Sequence, residues 1–155
     1  MAQLLDQYGD RVVLHMIMGG LRAGNTVAMD DEQKNYIRKH WEHVHKRSGQ
    51  PFEWTFFERD GFVYDTEPAC RAVVVARNMD ARLAYAMMHN IQKAFYAEGR
   101  DVTSADVLTE IAAAVGLQPA TFRTAFESDD ARAFTAQDFS TTQQVGVPGY
   151  PTLLL

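Results

Sequence analysis

The spacing of apolar positions changes twice along this chain. Leu4, Leu5 and Tyr8 lie on one side of Met1–Tyr8, with Gly9 after them, which predicts the end of a helix. Arg11–Met18 is apolar at nearly every position and predicts a strand buried on both faces of a parallel sheet. Gly19-Gly20 ends it, and Leu21–Met29 is a loop. From Asp30 the period is helical. A helix capped by Asp30 or Asp31 runs to Ser48 with Ile37, Trp41 and Val44 on one face, Lys46 and Arg47 in its last turn, and Gly49 as its stop. Residues 50–65 are aromatic-rich and irregular, a packed loop with short helical turns.

Further helices follow in series. One opens at Thr66, with Pro68 just inside it, and runs through Asn78, burying Cys70, Val73 and Val74. Asp80 caps the next, where Leu83, Met87, Ile91 and Phe95 form a wide stripe with Ala84 and Met88. Thr103-Ser104 begins a third with Val107, Leu108, Ile111 and Val115 inward, closed by Gly116. Pro119 opens a short one carrying Phe122 and Phe126, and Ser128 caps the last, Asp129–Gln144. The chain then turns through Gly146-Val147-Pro148-Gly149-Tyr150-Pro151 into Thr152-Leu153-Leu154-Leu155, which reads as a buried strand. The class this implies is an α/β sheet protein with a helical insertion.

Composition narrows the function classes. A chain of 155 residues, 46% hydrophobic and 23% charged, is about one soluble domain. The net charge of −5 supplies no field for nucleic acid or an anionic membrane. No apolar run approaches a membrane span, and no basic segment precedes an apolar one in the manner of a secretion signal. Cys70 is the only cysteine, so no internal disulfide or C-x-x-C exists, and the expected compartment is the reducing cytoplasm.

Few side chains offer chemistry on their own. Cys70 falls on the inward face of its helix, where a small buried hydrophobe is the default reading, and Arg71 does not share that face. His40 and His43 are spaced to share a metal, but His45 points elsewhere and no further ligand group is evident, so a solvated polar face is expected rather than a metal site. Met79, Met87 and Met88 read as core filling. The Gly19–Asn25 loop lacks both G-x-G-x-x-G and a P-loop lysine. No Ser-His-Asp or paired-carboxylate set stands out, and the acids sit mainly at helix starts and on exposed faces.

An ordered series of short stretches carries a family resemblance. These are Gln7–Val12 (QYGDRV), Met18–Thr26 (MGGLRAGNT), Tyr64–Ala72 (YDTEPACRA), Ala94–Val102 (AFYAEGRDV) and Gly146–Leu153 (GVPGYPTL). Together they cover essentially the whole chain, which resembles the DsbA-like branch of the thioredoxin superfamily, most closely its cytoplasmic protein-disulfide-isomerase subgroup. The resemblance implies an α/β thioredoxin-like fold with a large all-helical insertion. Residues 1–29 and 129–155 would be the thioredoxin-like parts and 30–128 the insertion. Pro151 would be the family's cis-proline, and Gly149, Tyr150 and Pro151 would line the substrate, with Arg22 and Asn25 on the rim.

The departure from the family is equally specific. Its catalytic C-x-x-C, expected before a helix whose second half would be residues 2–8, is missing from this sequence, as are the last strand and helix. The two strands that remain are then not neighbours, and each exposes an edge. The function implied is a thiol–disulfide oxidoreductase or protein disulfide isomerase without its catalytic pair and so inactive alone. It would need no cofactor and would meet protein or small thiol and disulfide substrates, glutathione among them. Two alternatives stay open. One is a glutathione-dependent isomerase of the 2-hydroxychromene-2-carboxylate type, which replaces the cysteine pair with a serine. The other is a non-catalytic binding module.

Overall fold

The computed structural model describes residues 7, 8, 11 and 13–154. Among them run six α-helices: α1 (Asp31–Ser48), α2 (Glu67–Met79), α3 (Ala84–Gln92), α4 (Ala105–Ala114), α5 (Pro119–Glu127) and α6 (Asp129–Gln144). Short 3₁₀ turns at Trp54–Glu58 and Ala81–Leu83 and a π turn at Lys93–Ala97 join them. Of the expected helix at 1–8, only Gln7 and Tyr8 are described, and both are helical.

Local chemistry sets these boundaries much as the sequence predicts. The Asp30 carboxylate accepts the Gln33 amide at 2.8 Å, and Asp80 and Ser128 cap the turns after them in the same way. Gly49 ends α1 in the left-handed conformation. Trp41, 5% exposed, anchors α1 in an aromatic nest, with ring centroids of Phe52, Phe56, Phe57 and Tyr96 at 4.8–5.3 Å. Val44, expected on the same face, is instead 45% exposed. The loop packs on the His45 side of the last turn, where Phe52 and Trp54 meet the imidazole edge-on, and leaves Val44 uncovered.

α2 is the central helix. Ala72, Val73, Val74, Val75 and Ala76 are all buried, as only a helix surrounded on every side can manage. It packs against α3, α4, α5 and α6. The inward face of α6 is Ala131, Thr135, Asp138 and Thr142, a helical row of mostly polar residues.

Neither expected strand forms among the described residues. Residues 13–20 and 152–154 have no regular secondary structure, and Ala28–Val63 is an isolated antiparallel bridge. A strand exists only through exchange of backbone bonds with a neighbour. Residues 16 and 18 meet side chains instead: the Met18 amide donates to Asp138 Oδ2 at 2.8 Å, and the Met16 carbonyl accepts from Arg77 Nη1 at 2.5 Å. The segment is also covered on one face rather than two, since Met16 and Met18 are half-buried while Val13 is 82% and Ile17 47% exposed. After Pro151, Leu153 and Leu154 are exposed rather than buried. No helix among the described residues is long and apolar enough to cross a membrane.

Candidate functional site

The two glycines that close the 13–18 segment decide what gathers there. A Cβ on Gly20 would lie 2.6 Å from the Phe139 ring, at a backbone φ of +62° that L residues rarely adopt. A Cβ on Gly19 would fall 1.9 Å from Tyr150 Cε1. Two residues without side chains thus let α6 and the last segment close on one turn. The Tyr150 hydroxyl donates to the Gly19 carbonyl at 3.0 Å and lies 3.3 Å from Thr142 Oγ1 on α6. The Tyr150–Pro151 peptide bond is cis.

Around that contact the backbone is open. Tyr150 is 44% exposed, Pro151 is exposed and Gly149 is half-buried. Among the described residues the backbone of 150–154 makes no main-chain hydrogen bond. The arrangement can receive an extended polypeptide through main-chain pairing.

The loop at residues 21–25 is held against the start of α2. The Arg22 amide donates to Thr66 Oγ1 (3.0 Å) and the Gly24 amide to Asp65 Oδ1 (2.9 Å), an oxygen that also accepts the Glu67 amide. Asn25 Nδ2 donates to the carbonyls of Val27 and Tyr64, so its amide is already engaged in shaping the loop. The Arg22 guanidinium lies over the Tyr64 ring at 5.4 Å. The Tyr64 phenol is itself pushed up, first by burial and then by Tyr96.

Cys70 sits beneath this loop, half-buried. Burial pushes its thiol from 9.0 up to about 11, against a lowering hydrogen bond from the Gly20 backbone and with Glu67, Asp138 and Asp65 adding to the rise. A thiol held protonated in this way is neither nucleophile nor reductant at neutral pH.

Of two further arginines on α2, sequence reasoning did not single out Arg77 and set Arg71 off the inward face given to Cys70, yet Arg71 is buried while Cys70 is half-buried. Arg77 and Asp138 form a two-point ion pair at 2.8 and 3.0 Å, and both also hold the 16–18 segment. Arg71, 7% exposed, donates to the Phe126 carbonyl at 3.2 Å, lies 4.2 Å over the Phe126 ring and sits 3.1 Å from Glu67 Oε1. Its Nε has no partner in hydrogen-bonding geometry. The Glu67–Arg71 spacing of four was the one available signal for it.

The remaining candidates lie elsewhere. His40, His43 and His45 are exposed on α1, with His40 against Tyr36 and His45 Nδ1 2.7 Å from the Gln50 carbonyl. Among the described residues no three His, Cys, Asp or Glu side chains gather as a metal site would require. Met87 is fully buried and Met88 half-buried, but Met79 is 37% exposed at the end of α2, where the helix runs out past its neighbours.

The family profile of the DSBA-like thioredoxin domain matches residues 10–155. Among solved structures, a protein of Nitrosomonas europaea described as a protein disulfide isomerase superposes with a TM-score of 0.90 at 31% identity, covering 97% of this chain and 72% of that one. The cytosolic disulfide reductase DsbM of Pseudomonas aeruginosa superposes at 0.79 with 26% identity, covering 97% and 73%. A second structure of that reductase, with glutathione, gives 0.78 and 28%, covering 97% and 74%. Among curated proteins, none matches the chain.

Proposed function

The chain belongs to the DsbA-like thioredoxin family of thiol–disulfide oxidoreductases, and from that premise we propose that Gly149, Tyr150 and Pro151 form the substrate-facing edge of its site, with Arg22 and Asn25 on the rim. One observation carries the reading: Tyr150 is locked onto the Gly19 carbonyl while Pro151 beside it is exposed and, among the described residues, the backbone of 150–154 makes no main-chain hydrogen bond. A substrate polypeptide adds to that backbone, and its side chains meet Arg22 across the Gly19–Asn25 turn.

The same proposal includes the finer fold. Residues 1–29 and 129–155 belong to an α/β thioredoxin-like part and 30–128 to the helical insertion. The alternating exposure of 13–18 supports a strand there, with its exposed side chains facing a partner. A cytoplasmic setting is supported by the single cysteine and by the likeness to a cytosolic reductase. Protein and small thiol or disulfide substrates, glutathione included, follow from the likeness to a reductase solved with glutathione.

Turnover needs a low-pKa thiolate to attack the substrate disulfide and a second thiol to resolve the mixed disulfide. This sequence contains one thiol, and its pKa is raised. The 155-residue chain therefore binds and orients substrate without exchanging disulfides. Insulin reduction coupled to dithiothreitol tests this: the chain is expected to add nothing to the rate with dithiothreitol alone, and clear acceleration overturns the reading.

A further inference from the structure

Helix α1 is basic on an acidic molecule. The helix holds five lysines and arginines against three acids, Asp31 and Glu32 in its first turn and Glu42, while the rest of the chain holds ten against seventeen. Two of the five are engaged by the fold: Lys34 Nζ reaches Asp60 at 3.9 Å, and the Arg38 guanidinium lies 4.8 Å over the Phe57 ring. Lys39, Lys46 and Arg47 have no carboxylate within ion-pair distance among the described residues, although Glu42 stands one turn from both Lys39 and Lys46.

Helical spacing puts Tyr36, His40, His43 and Arg47 in one row, with Lys39 and Lys46 beside it, on the side away from buried Ile37 and Trp41. All six are exposed, and Tyr36, 60% exposed, meets the His40 ring edge-on at 4.5 Å. The Trp41 nest fixes the helix from below, so the face is preorganised.

We propose that this face of α1 is a docking surface for an acidic polypeptide segment, whose carboxylates pair with Lys39, Lys46 and Arg47 while an apolar side chain covers Tyr36. Charge complementarity selects the sign of the partner, and the extent of the patch selects its kind. From Lys39 to Arg47 the row spans about 12 Å of helix, enough for three or four residues of extended peptide. A nucleic acid would carry its closely spaced phosphates beyond the patch and across a surface of net negative charge. A polypeptide brings its charge only where it is needed.

The test uses the full chain and a fluorescein-labelled peptide of roughly a dozen residues, glutamates and aspartates around a central leucine, with binding read by anisotropy at low salt. Saturable binding is expected, weakening by about ten-fold or more between low and physiological salt as the charges are screened. Amide shifts in the unmodified chain should map to residues 36–47. The triple variant Lys39→Glu, Lys46→Glu, Arg47→Glu should lose the binding, and Arg82→Gln, at an exposed cation elsewhere, should keep it. Any of three results overturns the proposal: shifts that map off α1, peptide binding that survives the charge reversal, or single-stranded DNA of similar length binding as well as the peptide. Self-association of the peptide-free chain that the reversal abolishes also overturns it, by assigning the face to a second copy.

Discussion

Asp138 and Arg77 meet through two hydrogen bonds, at 2.8 and 3.0 Å, and the pair also accepts the Met18 amide and donates to the Met16 carbonyl. One residue of a parallel neighbouring strand would offer the same pattern, donating to one carbonyl and accepting the amide two residues on. A part-buried ion pair between α2 and α6 therefore stands in for a strand along one edge of residues 16–18.

That arrangement makes Asp138 costly to remove. Asp138→Ala leaves the Arg77 guanidinium without its carboxylate, with only the Met16 carbonyl to bond, and the Met18 amide without its acceptor, in a site where Asp138 is 8% exposed. Losing one partner of such a pair should destabilise the chain by about 3 kcal/mol, read as a lowered urea midpoint with an unchanged slope. Amide exchange at Met18 should accelerate in the variant under native conditions.

The same pair shows where sequence reading stops. Caps and stops were legible because each acts on its own neighbours: Asp30, Asp80 and Ser128 begin turns as their side chains predict. The Leu83–Phe95 stripe was legible because its members are apolar. The inward row of α6 was not, because Ala131, Thr135, Asp138 and Thr142 do not look like a buried face. Asp138 is buried only because Arg77, sixty-one residues away, is there to meet it. For the candidate site, the Gly19-Gly20 turn and the Tyr150-Pro151 segment could be picked out, yet the contact between them depends on tertiary placement. The strand expected at 11–18 has no paired neighbour among the described residues on the same ground, since hydropathy reports burial but not which group takes the backbone bonds.

Gly20 and Gly24 separate backbone cost from packing cost. Both have positive φ, +62° and +77°, but only Gly20 has a neighbour in the way, the Phe139 ring. Gly24→Ala should cost about 1 kcal/mol from the backbone alone. Gly20→Ala should cost about 2–4 kcal/mol, because Phe139 must also move. Equal melting temperatures for the two variants would contradict the close approach of α6 to this turn.

The aromatic nest gives a similar contrast on α1. Trp41→Ala empties the space among Phe52, Phe56, Phe57 and Tyr96 and should destabilise by about 3–5 kcal/mol. Val44→Ala, one turn along at a residue 45% exposed, should fall within about 0.5 kcal/mol of the parent. Denaturant unfolding followed by far-UV circular dichroism measures both.

Cys70 makes a prediction about pH. Its thiol is pushed up to about 11 in the fold, first by burial, whereas the unfolded chain releases the same proton near 9.0. Between those values the unfolded state binds fewer protons than the folded one, so the stability that depends on the neutral thiol is present below pH 9 and lost as pH rises from 9 towards 11. Cys70→Ala should flatten that part of the stability profile, with a residue of alkaline sensitivity from the buried Tyr64 phenol, which is raised in the same direction. Reactivity follows the same thiolate population. At pH 8 iodoacetamide should modify the native chain about a hundred-fold more slowly than the urea-unfolded chain. Comparable rates would show that the thiol is exposed and ionisable, and would return Cys70 to the list of candidate nucleophiles.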